Sequence, residues 1–204
     1  MCIRGPRRSY GVSLIELILF IVIVSACVAG VLVAIDRTAR ASADPLIIKQ
    51  ALAIAEALLE EVELMPFTFC DPDDPHASTA QSAQVDPLDP LKCSSAAQVE
   101  NIGPEGGETR YHATTPFDNV NDYMGFTMNP ILDITGTAIG GLGAYTATVT
   151  VAPVGLADTL NLNPIAATDA NGQANVLLIT VTVTGPANTT VVLNGYRTKY
   201  NPRI

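Results

Sequence analysis

Residues Gly11 to Ile35 read GVSLIELILFIVIVSACVAGVLVAI, and the reading of this stretch decides the fold. From Val12 to Ile35 there are 24 residues and one charge, Glu16. As a helix rising about 1.5 Å per residue the run is roughly 36 Å long, enough to span a bilayer with some tilt. A lone carboxylate near the start of such a run is costly in lipid and asks for a partner. The residues ahead of it are short and basic, with Arg4, Arg7 and Arg8 and no acid. By the positive-inside rule that end stays in the cytoplasm and the rest of the chain is exported.

The six residues Gly11-Val12-Ser13-Leu14-Ile15-Glu16 resemble the processing site of type IV prepilins and type II secretion pseudopilins. Basic leader, glycine, a glutamate five residues on and an uninterrupted apolar run coincide here. The resemblance implies a cut between Gly11 and Val12 by a prepilin peptidase, which also methylates the new Val12 amine. Glu16 is then the fifth mature residue and the one that governs assembly. Val12 stands where the family most often has Phe or Met. A secretory signal fits less well, because its apolar core is about 7–15 residues long and carries no acid. Val24-Ser25-Ala26-Cys27 resembles a lipoprotein signal with Cys27 as the lipidated residue, but the run stays apolar through VAGVLVAI.

Downstream of Ile35 the charges Asp36, Arg37, Arg40 and Asp44 mark the exit from lipid into water. Pro45 is expected to kink the helix without ending it, since helical periodicity resumes at once. Ile47, Ile48, Ala51, Leu52, Ala55, Leu58, Leu59, Val62 and Met65 then recur at spacings of three and four, one stripe facing a core. Lys49, Glu56, Glu60, Glu61 and Glu63 are assigned to the opposite, wet face. Pro66 ends the pattern.

Three segments result: a leader at 1–11, a stem helix at 12–65 with 12–35 in the membrane, and a β-rich exported head at 66–204. The chain of 204 residues carries 20 acids and 11 bases. Loss of the three leader arginines would leave eight bases against those acids. An acidic body of this kind argues against nucleic-acid binding, which needs a basic face.

Cys70 and Cys93 both fall in the exported part, where an oxidising periplasm permits them to pair. Such a bridge would restrain the Pro-, Asp- and Ser-rich loop at 67–107 and contribute about 3 kcal/mol. Asp71, Asp73 and Asp74, with Asp86 and Asp89 further on, are candidate oxygen ligands for calcium. They lack the EF-hand spacing, and a solvated acidic loop is the favoured reading. His76 and His112 are lone histidines assigned to the surface. No CxxC or Cys/His spacing points to zinc, and no cofactor is expected.

Thr109 to Thr114 reads as a first strand, and Pro116 to Pro130 as an ordered surface loop in which Asp118, Asn119, Asn121 and Asp122 are again possible metal oxygens, with turn-making the favoured role. Gly140-Gly141-Leu142-Gly143 lacks the GK[ST] of a phosphate loop. Tyr145 to Val151 alternates threonine with apolar residues, and Val176–Thr184 with Thr189–Tyr200 reads as an antiparallel hairpin. The fold class is α+β, a long N-terminal helix on an antiparallel sheet. The apolar stripe of the helix is the natural cover for one face of that sheet.

The segments Ala55–Pro75 and Thr115–Phe126 and the closing hairpin resemble one branch of the pilin family, the minor D pilins of mannose-sensitive haemagglutinin type pili. The resemblance implies a pilin-like fold and a non-enzymatic subunit of a type IV pilus. Its implied partners are the prepilin peptidase and methyltransferase, major and minor pilins in a filament, and an inner-membrane assembly platform. A minor pseudopilin of a type II secretion system shares every argument made from the stem. A membrane-anchored periplasmic enzyme or binding protein is the third reading, and no GxSxG, HExxH or phosphate loop supports it.

Overall fold

A computed structural model describes residues 13–156 and 165–199, and of residues 37–44 the backbone alone. Gly11 and Val12, where processing is expected, lie outside the described residues, as do the basic residues before them.

Helix α1 runs Leu14–Leu64, with Pro45 inside it. Ser13 opens it. The Ser13 hydroxyl accepts from the Glu16 amide at 3.3 Å and the Ser13 carbonyl from the Leu17 amide at 3.1 Å. This is one half of a capping box, the Ser-x-x-Glu spacing that satisfies a donor the helix cannot satisfy itself. The chain divides into two compact units, Met1–Leu46 and Ile47–Ile204. In the first, Leu14–Asp36 forms 23 residues of helix long and apolar enough to cross a membrane, with none of its residues buried.

In the second unit, α1 from Ile47 onward contributes Ala51, Ile54, Ala55, Leu58 and Val62 to the core. Positions 51, 55, 58 and 62 follow the expected stripe. Two neighbours do not: Ile48 is half exposed and Ile54 is buried. At 100° per residue, position 54 lies beyond 58 on the side of the stripe opposite to 48, so the stripe is centred further towards 58 than expected.

The sheet has four strands, β1 (Thr127–Met128), β2 (Thr146–Pro153), β3 (Val176–Thr184) and β4 (Thr190–Thr198). They lie in sequence order and every pair is antiparallel. Alternation sends Ala147, Val149 and Val151 of β2 inward beside Ile179, Val181 and Val183 of β3. Their threonine neighbours lie on the other face, as period-2 patterning requires. Across the register Val149 faces Val181 and Thr148 faces Thr182. The β3–β4 turn places Ala187 and Asn188 at positive φ, 54° and 57°. β4 buries only Gly195, and a Cβ there would collide with Glu63 and lie 2.9 Å from Leu59 Cδ1. The missing side chain lets β4 lie directly under α1.

The described residues thus form an α+β fold. Two expectations fail. Thr109–Thr114 is a turn, not a strand, because Arg110 faces α1 and its neighbours fold round it. Pro116–Pro130 is not a surface loop: Phe117, Val120, Tyr123 and Met128 are core residues. Their aromatic rings pack edge to face, with Phe117 5.0 Å from Tyr123 and 5.8 Å from Phe126. That geometry sets positive ring edges on negative faces.

Candidate functional site

Three features carry chemistry. The first is the apolar helix with Glu16 in its first turn. Leu14, Ile15, Leu17 and Ile18 around it all present more than half of their surface. An acid in the first turn sits at the positive end of the helix dipole. Cys27 is a free, exposed thiol on the same helix.

The second feature is the loop after α1. Cys70 and Cys93 are joined by a disulfide, with Cα atoms 5.5 Å apart. The solvated acidic loop expected around them is only partly so. Asp74 is buried, and its carboxylate accepts from the amides of His76 (2.7 Å) and Ser94 (2.8 Å) and from the Ser94 hydroxyl (3.0 Å). Burial would raise its pKa, but these donors outweigh it and hold the carboxyl below its usual range. Asp74 is therefore a strut of the disulfide loop, with its oxygens already engaged. Asp71 and Asp73 lie elsewhere, within 4.8 Å of Asp118, on a largely open surface. Asp86 and Asp89 pair with Lys92 at 3.5 and 3.3 Å. His76 is partly buried, its Nδ1 2.9 Å from the Lys92 carbonyl, and His112 is exposed.

The third feature is a buried charge pair that the sequence reading assigned to water. Glu61 lies on the half of α1 that belongs to the head. Arg110 Nε donates to Glu61 Oε1 and Nη2 to Oε2, each at 2.6 Å. The Tyr123 hydroxyl donates to Oε1 at 2.7 Å. Arg110 Nη1 donates to the Tyr111 hydroxyl and to the Asp133 carbonyl.

Comparison with protein-family models, with curated proteins and with solved structures gives no match to this chain. The chemistry of the side chains is therefore what bears on function. Burial raises the pKa of Glu61, but the bonds from Arg110 and Tyr123 together overturn that and keep it ionised. Burial would lower Arg110, yet Glu61 pushes it up. Burial and Glu61 also push the Tyr123 hydroxyl up, so it stays a donor. A permanently charged, fully bonded triad of this kind orders a core and has no proton to trade. The signal that could have found it is the arginine at 110, the first base after Lys92 in an acidic chain, which needs a carboxylate once buried.

Proposed function

We propose that the chain is a structural subunit of a type IV pilus, a minor pilin of the mannose-sensitive haemagglutinin type, without catalytic activity. One observation carries the reading: a 23-residue apolar helix segment, exposed on every side, holds Glu16 in its first turn as the one charge before Asp36 at its end, and leads into an acidic head. Such a helix is at home in lipid or among like helices and nowhere in water. Its carboxylate needs a cation there, and cleavage after Gly11 would free one at the Val12 amine. The prepilin peptidase and methyltransferase would make that cut. Neighbouring pilins would pack against the stem, and an inner-membrane platform would draw it into the filament. Before assembly the subunit would be a single-pass inner-membrane protein with a periplasmic head, and afterwards part of the cell-surface pilus.

The intact mass and N-terminal peptide of protein purified from membranes test this. The expected start is N-methylated Val12. A lipidated Cys27, or a chain retaining its first eleven residues, would overturn the assignment. If Val12 is methylated but the protein copurifies with secretion components and not with filaments, the type II pseudopilin reading takes its place.

A further inference from the structure

Glu100 begins a loop that folds back over the head. Its amide donates to the Phe69 carbonyl at 3.1 Å, and further along the Gly103 amide donates to the Asn121 carbonyl at 3.1 Å. These two bonds bring the loop against the 3₁₀ turn Val120–Tyr123. Carboxylate oxygens of Glu100, Glu105 and Asp122 there lie within 4.8 Å of one another. Glu100 is 3% exposed and Asp122 1%. Oxygens that share one calcium ion at about 2.4 Å can be no more than about 4.8 Å apart, so the three fit a single ion.

Acids in a group do not make a site, but these have oxygens left over. Asp122 Oδ2 accepts from the amides of Asn119 (2.8 Å) and Asp118 (3.0 Å), while its buried Oδ1 has no partner. Glu100 Oε1 is buried without a partner as well. So is Asn121 Oδ1, a neutral acceptor 4% exposed that lines the same cavity of about 130 Å³ as Glu100. Buried oxygens without donors are costly, and each needs an explanation. Lys199 also lines that cavity, but its Nζ sits 3.7 Å over the Phe69 ring, and among the described residues no ion pair joins it to Glu100. Lys199 attracts Glu100 from that position, but one lysine stands against three carboxylates.

We propose that Glu100, Glu105 and Asp122, with the side-chain oxygen of Asn121, bind one hard divalent cation of calcium's size and donor preference. Two carboxylates from the loop, one from the turn and a neutral amide form an all-oxygen set on two backbone segments, which suits calcium's loose coordination better than magnesium's strict octahedron. The ion would pin the 100–108 loop to the turn that carries Tyr123, itself bonded to Glu61 of α1. The electrostatics agree. Burial first, then Glu105 and Asp122 among its neighbours, push Glu100 up to about 10, which a bound cation would reverse.

The test is calcium binding by the full chain in detergent micelles, read as bound ⁴⁵Ca after equilibrium dialysis and as a thermal shift against chelator. At about 1 mM calcium, the range of extracellular calcium modules, one equivalent should bind and the melting temperature should rise, with magnesium giving a smaller rise. Glu105→Gln should lose the equivalent and the shift. Glu100→Gln should melt higher than wild type in chelator, because folding no longer has to protonate a buried acid that is ionised in the unfolded chain, and show no rise with calcium. Asp73→Asn, at the open triad, should bind as wild type does. No binding by the wild type, or binding lost in Asp73→Asn and kept in both glutamine variants, would overturn the proposal.

Discussion

Arg110 closes on Glu61 with both prongs of its guanidinium, 49 residues away along the chain, at 2.6 Å for each bond. The two side chains are 5% and 19% exposed, so water screens the pair poorly. Replacing Arg110 with Met leaves the half-buried Glu61 without its cation, and should cost about 3 kcal/mol of head stability. Arg110→Lys keeps the charge but loses the fork, and should fall between the two. Urea unfolding followed by circular dichroism measures both, and a loss under about 1 kcal/mol in Arg110→Met, the range of surface pairs, would show that the pair is not buried in solution.

Stability should depend on pH from two sides. The pKa of Glu61 is depressed in the folded protein, so its contribution is present above the ordinary 4.5 and is lost as pH falls through the lower folded value. Raised acids act in the opposite sense. Burial and nearby carboxylates lift Asp118 from 3.8 to about 6, and burial and Asp122 lift Glu108 from 4.5 to about 7. The stability these two supply is complete below their ordinary values and is lost as pH rises through the folded ones. In chelator the urea midpoint should therefore decline between about pH 4 and pH 7, and Glu108→Gln should flatten the decline. A midpoint that climbs steadily over that interval would contradict the placement of the acids.

Gly185 has extended backbone that any residue adopts, but a Cβ there would stand 2.5 Å from Tyr145 Cε1 and 2.7 Å from Cδ1. The Tyr145 ring is buried, and its hydroxyl donates to Gln50 of α1 at 2.8 Å. The ring cannot slide without breaking that bond, so Gly185→Ala should cost about 1–3 kcal/mol, the usual penalty of overpacking. Adding Tyr145→Leu should abolish most of the further cost of the alanine. Additive losses in the double variant would mean that the ring and the turn do not touch.

Removing both Cys70 and Cys93 opens a loop with a separation of 23 residues. By loop-closure entropy the loss should be about 3 kcal/mol. Asp74→Asn should cost about 1–3 kcal/mol, since the amide oxygen can accept from His76 or from Ser94 but not from both, and its NH2 then faces a donor. Thermal melts of the full chain in micelles, with and without reductant, separate the two effects.

Local pattern carried much of the fold. The spacing of Ala51, Ala55, Leu58 and Val62 at three and four residues, and the two-residue threonine alternation in β2 and β3, are short-range signals that the chain states directly. What escaped were pairings across long separations. Glu61 reads as a wet helix position because nothing near it in sequence announces Arg110. Tyr111 and Thr114 look like strand residues until Arg110 is known to turn inward. The 116–130 segment is rich in Asp and Asn, yet it is buried: one side-chain oxygen each of Asn119 and Asp122 accepts from the other's backbone in a capping box, which leaves Phe117, Val120 and Tyr123 free to enter the core. In the acidic loops the sequence offered many carboxylates and no means of ranking them. Burial separated Asp74, fully bonded, from Glu100, which lacks a donor.

Glu16 gives the sharpest test of the proposed role. It lies among side chains that, Ser25 apart, are apolar from Leu14 to Ile35, on a helix segment with no buried residue. Glu16→Gln keeps the size and removes the charge, and Glu16→Ala removes both. Neither should destabilise the head, whose core begins at Ile47, and both should leave processing after Gly11 largely intact. If the carboxylate exists to meet a freed amine in a subunit packed in lipid, both variants should accumulate in the membrane and fail to enter filaments. Gel analysis of sheared filaments against membrane fractions measures the partition. Equal recovery of Glu16→Gln and wild type from the filament fraction would separate the acid from assembly and leave it as no more than a cap for the first turn of α1.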